Sequence, residues 1–195
     1  MRQKNQVTGL ILAGGKGRRV QGQDKGLLSW RGKKLIEHVA DRLAPQVGEL
    51  IISCNRNIPA YSEIGDIRVQ DSRADFQGPL AGIEAAMEHV KTDVLVVVAC
   101  DNPLLPLDLV ERLNEAPPVN NTARALISYA HDGKREHYLC CAIRTSLYPS
   151  LTSYLEDGNR AVRDWFGQHL AAPVDFSDQP EAFVNFNSLE AFSKH

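Results

Sequence analysis

Residues 94–99, Val-Leu-Val-Val-Val-Ala, are apolar at every position, preceded by Asp93 and followed by Cys100-Asp101. A strand with one wet face alternates; a strand apolar on both faces belongs inside a sheet covered on each side. Val7 to Leu12 reads as another buried strand, and further apolar runs fall at 50–54 and 67–70. Between them, Ile36, Val39, Ala40 and Leu43 recur at helical spacing, and 80–90 is helical with Pro79 suited to its first turn. Beyond the central strand the pattern predicts a helix at 107–113 and a strand at 125–129. An Asp132-Gly133 turn then leads into a strand at 137–143. Helices at 146–156 and 161–166, a short strand at 174–176 and a final helix at 189–192 complete the reading. Such alternation specifies an α/β fold, doubly wound in three layers, with a mostly parallel sheet and at least one antiparallel strand. Ligands of such folds bind where the carboxyl ends of the strands open into loops.

The chain has 195 residues, a length that suits one domain. With 22 basic against 24 acidic side chains there is no basic excess of the kind that nucleic-acid and membrane-surface proteins use. The longest apolar run, 94–100, is far short of the roughly 20 residues of a membrane helix, and the start lacks a secretory apolar region. Cys54, Cys100, Cys140 and Cys141 form no Cys-x-x-Cys pair and sit in or beside strand-like runs. They read as buried, reduced thiols, and the expected location is cytoplasmic.

Directly behind the first strand stands Leu12-Ala13-Gly14-Gly15-Lys16-Gly17-Arg18-Arg19, continued by Gly22-Gln23-Asp24-Lys25-Gly26. Glycines let backbone approach a ligand, and consecutive amides make an anion cradle. Lys16, Arg18, Arg19 and Lys25 add the cations a polyphosphate needs. The Walker pattern is absent, and Val20 stands where a dinucleotide fingerprint needs glycine or alanine. A basic surface turn has the same composition; the position behind a buried strand favours phosphate. Asp101 and Asp71 each follow a strand. Each can begin a turn or face the ligand edge, where Asp101 could hold Mg²⁺.

The order Leu12-Ala13-Gly14-Gly15, Arg19, Asp24-Lys25-Gly26 resembles the signature of nucleotidyltransferases with the Rossmann-like α/β fold of sugar-nucleotide pyrophosphorylases. Asp71-Ser72, Gly78-Pro79-Leu80-Ala81-Gly82, Cys100-Asp101-Asn102-Pro103 and Phe183-Val184-Asn185-Phe186-Asn187-Ser188 make the whole chain similar to the molybdenum cofactor guanylyltransferases. The resemblance implies transfer of GMP from GTP to the terminal phosphate of molybdopterin, with release of pyrophosphate. It places Leu12, Ala13, Gly14, Gly15, Gly22, Ser53, Asp71 and Gly78 along the nucleotide. Arg19 and Lys25 would face its phosphates and the leaving pyrophosphate. Asp101 would coordinate Mg²⁺, with Mn²⁺ as a substitute, and Gly82, Asn185 and Asn187 would lie toward the pterin. The expected division is a nucleotide-binding part at about 7–103 and an acceptor-binding part at about 104–195. Transient contacts with other cofactor-biosynthesis proteins and with the chaperones of recipient enzymes are implied too. The sequence departs from the family at Val20 and Gln21, where Met and Gly are common; at Ser53, often Asn; and at Tyr138, often Pro.

An acceptor phosphate is already anionic, so this chemistry needs no protein nucleophile, and no Ser-His-Asp or Cys-His set stands out. Most of the scattered histidines read as helix-surface or turn residues. His137, near Arg135 in the hairpin, has a structural reading first and acceptor contact as the alternative. Arg160 and Arg163 read as a solvated helix face that a phosphate-rich acceptor could recruit. The rival readings are a cytidylyl-transferring relative, disfavoured by Gly14 where its signature has Ala, a sugar-1-phosphate enzyme, and a nucleotide-binding module without turnover.

Overall fold

A computed structural model describes residues 6–14, 24–73, 77–116, 118–119 and 123–186. The predicted helix at 189–192 lies outside these residues. Seven strands form the main sheet: β1 (Val7–Leu12), β4 (Glu49–Ser53), β5 (Ile67–Val69), β6 (Val94–Ala99), β7 (Ile127–His131), β8 (Glu136–Arg144) and β9 (Ala171–Asp175). Their order is β5-β4-β1-β6-β8-β7-β9, and β2 (Ser29–Trp30) and β3 (Lys33–Lys34) form a separate small hairpin. β1 pairs in parallel with β4 and β6, and β4 with β5. β8 runs against both β6 and β7, while β9 joins β7 in parallel.

Period-two alternation divides the core between the faces. Val7 and Ile11 of β1, with Val94, Val96 and Val98 of β6, meet one helical layer. That layer contains α1 (Leu35–Leu43) and α3 (Leu109–Asn114). Leu10 and Leu12, with Leu95 and Val97, meet the opposite layer of α2 (Pro79–Met87), α4 (Tyr148–Glu156) and α5 (Val162–Phe166). Burial of each large aliphatic or aromatic side chain contributes about 1.5–3 kcal/mol. Trp165 is fully buried, and its ring N–H donates to Ser150 Oγ at 3.3 Å. Glu37 caps α1 by accepting from the Lys34 N–H at 2.8 Å.

Several boundaries move for identifiable reasons. Pro149 tolerates only the first turn of a helix, so the expected helix at 146–156 divides into a 3₁₀ turn, Thr145–Leu147, and α4. Gly158 at φ 84° separates α4 from α5, which leaves Arg160 between the helices rather than on a helix face. His137 lies within β8, in keeping with the strand expected at 137–143. The β2–β3 hairpin, unexpected from the sequence, turns at Arg31 and Gly32, both with positive φ (48° and 81°).

Two irregularities shape the site. β6 and β8 pair from Val94/Arg144 to Val97/Cys141 and no further, so the strands part toward the carboxyl end of β6. In β8, Cys141 faces Tyr129 while His137 faces Ala130, so Tyr138, Leu139 and Cys140 form a three-residue bulge. Bulges bend a strand and re-aim its side chains; here the bulge lines a cleft beside the parted strands.

Candidate active site

The carboxyl ends of β1, β4, β5 and β6 converge on a cleft of about 830 Å³. Leu12, Ala13, Gly14, Lys25, Ser53, Asp71, Gly78, Gly82, Asp101 and Asn185 all line it. The other expected site residues, Gly15, Arg19, Gly22 and Asn187, lie outside the described residues. Strand pairing continues into the site: Ala13 N–H donates to the Ser53 carbonyl at 2.8 Å and Cys100 N–H to the Leu12 carbonyl at 3.1 Å.

Lys25 and Asp101 lie 76 residues apart in sequence, yet Lys25 Nζ donates to Asp101 Oδ2 at 2.7 Å. The Asp101 side chain is 10% exposed and that of Lys25 26%. The preceding residue, Asp24, is held in turn: the Tyr61 hydroxyl donates to its Oδ1 at 2.6 Å and Asn57 Nδ2 to its Oδ2 at 3.2 Å. Burial, and then the Asp24 contact, drives the Tyr61 phenol far above its ordinary range. Gly26 is needed beside it, because a Cβ there would lie 2.8 Å from Tyr61 Oη.

Asp71 follows β5 and is pinned by Asn55, which donates Nδ2 to Asp71 Oδ2 at 2.7 Å and accepts the Asp71 N–H at 2.8 Å. Burial pushes the Asp71 carboxyl up, and the Asn55 amide opposes that shift. Ser53 is buried between this pair and α2. Gly82, expected on the side of Asn185, stands instead in this same corner, since a Cβ on it would meet Ser53 Oγ at 2.7 Å and Leu12 Cδ2 at 3.0 Å. Gly78 caps α2 at φ 87°, a conformation that L side chains rarely adopt.

Across the cleft, Asn102 Nδ2 donates to Asn185 Oδ1 at 2.9 Å. The segment around Asn185 is strapped to the end of β6, with Phe186 N–H on the Asp101 carbonyl at 2.9 Å. Phe186 meets Trp30 edge-on at 4.9 Å, and Phe183 stacks on His137 at 4.8 Å. His137 Nε2 is 2.8 Å from Asp132 Oδ2, with both side chains buried. Burial raises the Asp132 carboxyl, but the His137 ring and the Arg135 and Lys134 amides outweigh it and hold it well below the carboxylate range.

Several residues beyond the expected set thus line the cleft, among them Asn55, Asn102, His137 and Tyr138. The signal that marked Asp71 and Asp101, a polar residue just past a buried strand, applies equally to Asn55 and Asn102. Arg160 corrects its expected exposure: half-buried, it donates to Gln77 Oε1 at 2.6 Å and to the Leu155 carbonyl at 2.8 Å. Arg163, in α5, is exposed as expected. The four cysteines are free and buried, and burial raises the Cys140 thiol to about 12. Among the described residues, no helix is long and apolar enough to cross a membrane.

The described residues also contain no group of three or more His, Cys, Asp or Glu side chains able to cage a metal. A cation at Asp101 would therefore draw most of its ligands from substrate and water. Paired with the Lys25 ammonium, one carboxylate at the mouth of a strand-end cleft is suited to polyphosphate chemistry.

Residues 9–173 match the model of the MobA-like NTP transferase domain. The chain is 45% identical over 185 residues to a protein of Shewanella sp. (strain MR-4) named molybdenum cofactor guanylyltransferase, covering 95% of this chain and 92% of that one. A protein of the same name from Histophilus somni (strain 2336) is 43% identical over 189 residues, covering 97% and 95%. The crystal structure of molybdopterin-guanine dinucleotide biosynthesis protein A from Archaeoglobus fulgidus has the same fold, with a TM-score of 0.76 at 21% identity over 96% of this chain and 95% of that one. The chain belongs to the MobA-like NTP transferases and is a nucleotidyltransferase.

Proposed function

We propose that this enzyme transfers GMP from GTP to the terminal phosphate of molybdopterin, in the cytoplasm. The observation that carries the reading is the Lys25–Asp101 contact, which sets a cation and a carboxylate between two differently built walls of one cleft. The Gly14, Ser53 and Asp71 wall takes the nucleoside, and the Asn102–Asn185 wall takes the pterin, together with Asn187. Asn102 apart, this division assigns roughly 7–103 to the nucleotide and 104–195 to the acceptor.

Asp101 fits a hard cation such as Mg²⁺, or Mn²⁺ in its place, which takes one or two carboxylates and fills its remaining positions with phosphate and water. When bound, that ion supplies charge neutralisation at the reacting phosphates. An acceptor phosphate oxygen attacks the α-phosphorus of GTP in line, the bond to the β-phosphate oxygen breaks, and pyrophosphate leaves. Lys25 turns from Asp101 to the triphosphate and, with Arg19, neutralises charge that grows on the leaving group. Leu12, Ala13, Gly14, Gly15, Gly22 and Gly78 supply close backbone approach to the nucleotide, and Gly82 keeps α2 tight against that wall.

The test is calorimetric titration with GTP, CTP, ATP and UTP, with and without Mg²⁺, followed by pyrophosphate release on adding molybdopterin. Selective GTP binding and release dependent on molybdopterin are expected. CTP preference, or no pyrophosphate with both substrates present, would overturn the reading.

A further inference from the structure

Past the strand end that carries Ser53, the Asn55 side chain grips Asp71 at two points: Nδ2 on the carboxylate Oδ2 at 2.7 Å and Oδ1 on the backbone N–H at 2.8 Å. A two-point contact of this kind fixes the rotation of the carboxylate as well as its place. Gly82 bounds the other oxygen, since a Cβ on it would stand 3.4 Å from Asp71 Oδ1. Gly14 bounds the amide, since a Cβ there would stand 3.2 Å from Asn55 Nδ2 and 3.8 Å from its Cγ. Gly14, Asn55, Asp71 and Gly82 all line the cleft. The amide donation also opposes the burial that would otherwise push Asp71 toward its neutral form.

A carboxylate presents two parallel acceptors. Among the nucleobases, guanine alone offers two parallel donors, N1–H and an N2–H, on its pairing edge. Adenine and cytosine place a ring-nitrogen acceptor beside their amino group, and uracil places its single donor between two carbonyls. A carboxylate free to rotate discriminates weakly, because it presents one oxygen to any amino group.

We propose that Asn55 is a positioning residue for guanine selection: it orients Asp71 to accept both guanine donors, and position 14 is glycine because the Asn55 amide needs that space. This rests on the guanylyl reading above and adds to it the device that chooses the base. Selection by Gly14 is thereby indirect, acting through the amide it admits.

The test is binding of GTP and ITP, which lacks the N2 amino group, to the full chain and its variants. A hydrogen bond to a charged group is worth about 1.5–3 kcal/mol, so the wild type should prefer GTP over ITP by about 10- to 150-fold. Asn55→Ala is expected to shrink that ratio to about threefold or less while ITP affinity, carried by the triphosphate, stays nearly constant. Gly14→Ala keeps Asn55 but displaces it, and should lower the ratio in the same direction. A wild-type ratio near one overturns the proposal, as does a full ratio retained in Asn55→Ala, while selective GTP binding leaves the guanylyl reading intact. Should Asn55→Ala fail to fold, a full ratio in Gly14→Ala overturns it equally. Failure of the wild type to bind GTP, or tighter binding of CTP, would overturn the guanylyl reading itself.

Discussion

Replacing Arg73 with Met removes the guanidinium whose Nε and Nη2 donate to the two carboxylate oxygens of Glu84 at 2.6 and 2.8 Å. Glu84 sits in α2 with a side chain only 5% exposed, whereas that of Arg73 is 24% exposed. The variant leaves a buried carboxylate with neither partner nor ready access to water. Breaking a buried pair in this way costs roughly 3–5 kcal/mol, and the partial exposure of Arg73 selects the lower end, about 3 kcal/mol. Glu84→Leu is different, because the stranded guanidinium can turn to solvent; about 1 kcal/mol is expected. In Arg73→Met/Glu84→Leu the penalty of the orphaned charge vanishes, and the double variant should fall no more than about 1 kcal/mol below wild type. The implied coupling of at least about 3 kcal/mol is measurable by urea denaturation of all four proteins at a constant m-value. In thermal melts Arg73→Met should lie about 6–12 °C below wild type, at about 2–4 °C per kcal/mol for a chain of this size. Equal costs for the two single variants, or a double variant equal to their sum, would refute the argument.

Asp101→Asn is expected to fold normally and to lose about 10²–10³ or more in the rate of pyrophosphate release, as is Lys25→Ala; a near-wild-type rate in either would remove that residue from the chemistry. Gly26→Ala drives a methyl group against Tyr61 Oη and should cost about 1–3 kcal/mol, with part of the loss recovered in the Tyr61→Phe background; identical costs in the two backgrounds would show that the clash lies elsewhere. Asp132 has a folded value below its unfolded one of about 3.9, so its contribution is complete above about pH 4 and fades as pH falls further. Asp132→Asn should therefore flatten the loss of stability between about pH 4 and pH 3, measured by denaturant midpoint, and parallel curves would contradict this.

Strands buried on both faces were legible because nothing but a covered sheet accepts an all-apolar segment; β1 and β6 fall on the expected residues. Elements governed by local compromise were not. The β2–β3 hairpin has two-residue strands, too short for a periodic signal, and an Arg at a turn position where Asn is the usual cue. The start of β9 carries no strand signal before position 174, because Pro173 argues against a strand interior; it is tolerated at this sheet edge, where β9 pairs with β7 alone. In the site, Asp101 and Lys25 were recognisable one by one, but their contact spans 76 residues and depends on how β1 and β6 are paired. Asn55 carries no charge to mark it as a ligand-side residue, although its place beyond a strand end is the same as that of Asp71.

The segment Phe183–Phe186 also gives the molecule an order of assembly. While the chain is being made, β5, β4, β1 and β6 all emerge before β8, so the parallel half can form with one side of β6 still bare. Asp101 is already present by then, but its carbonyl takes its hydrogen bond from Phe186, and Asn102 takes its partner from Asn185. The Asp101 strand end is thus framed by some of the last described residues to be synthesised. A nascent chain stalled before residue 183 would carry Gly14, Ser53, Asp71 and Asn102 without Asn185, so this side of the cleft is completed only after synthesis has passed that point.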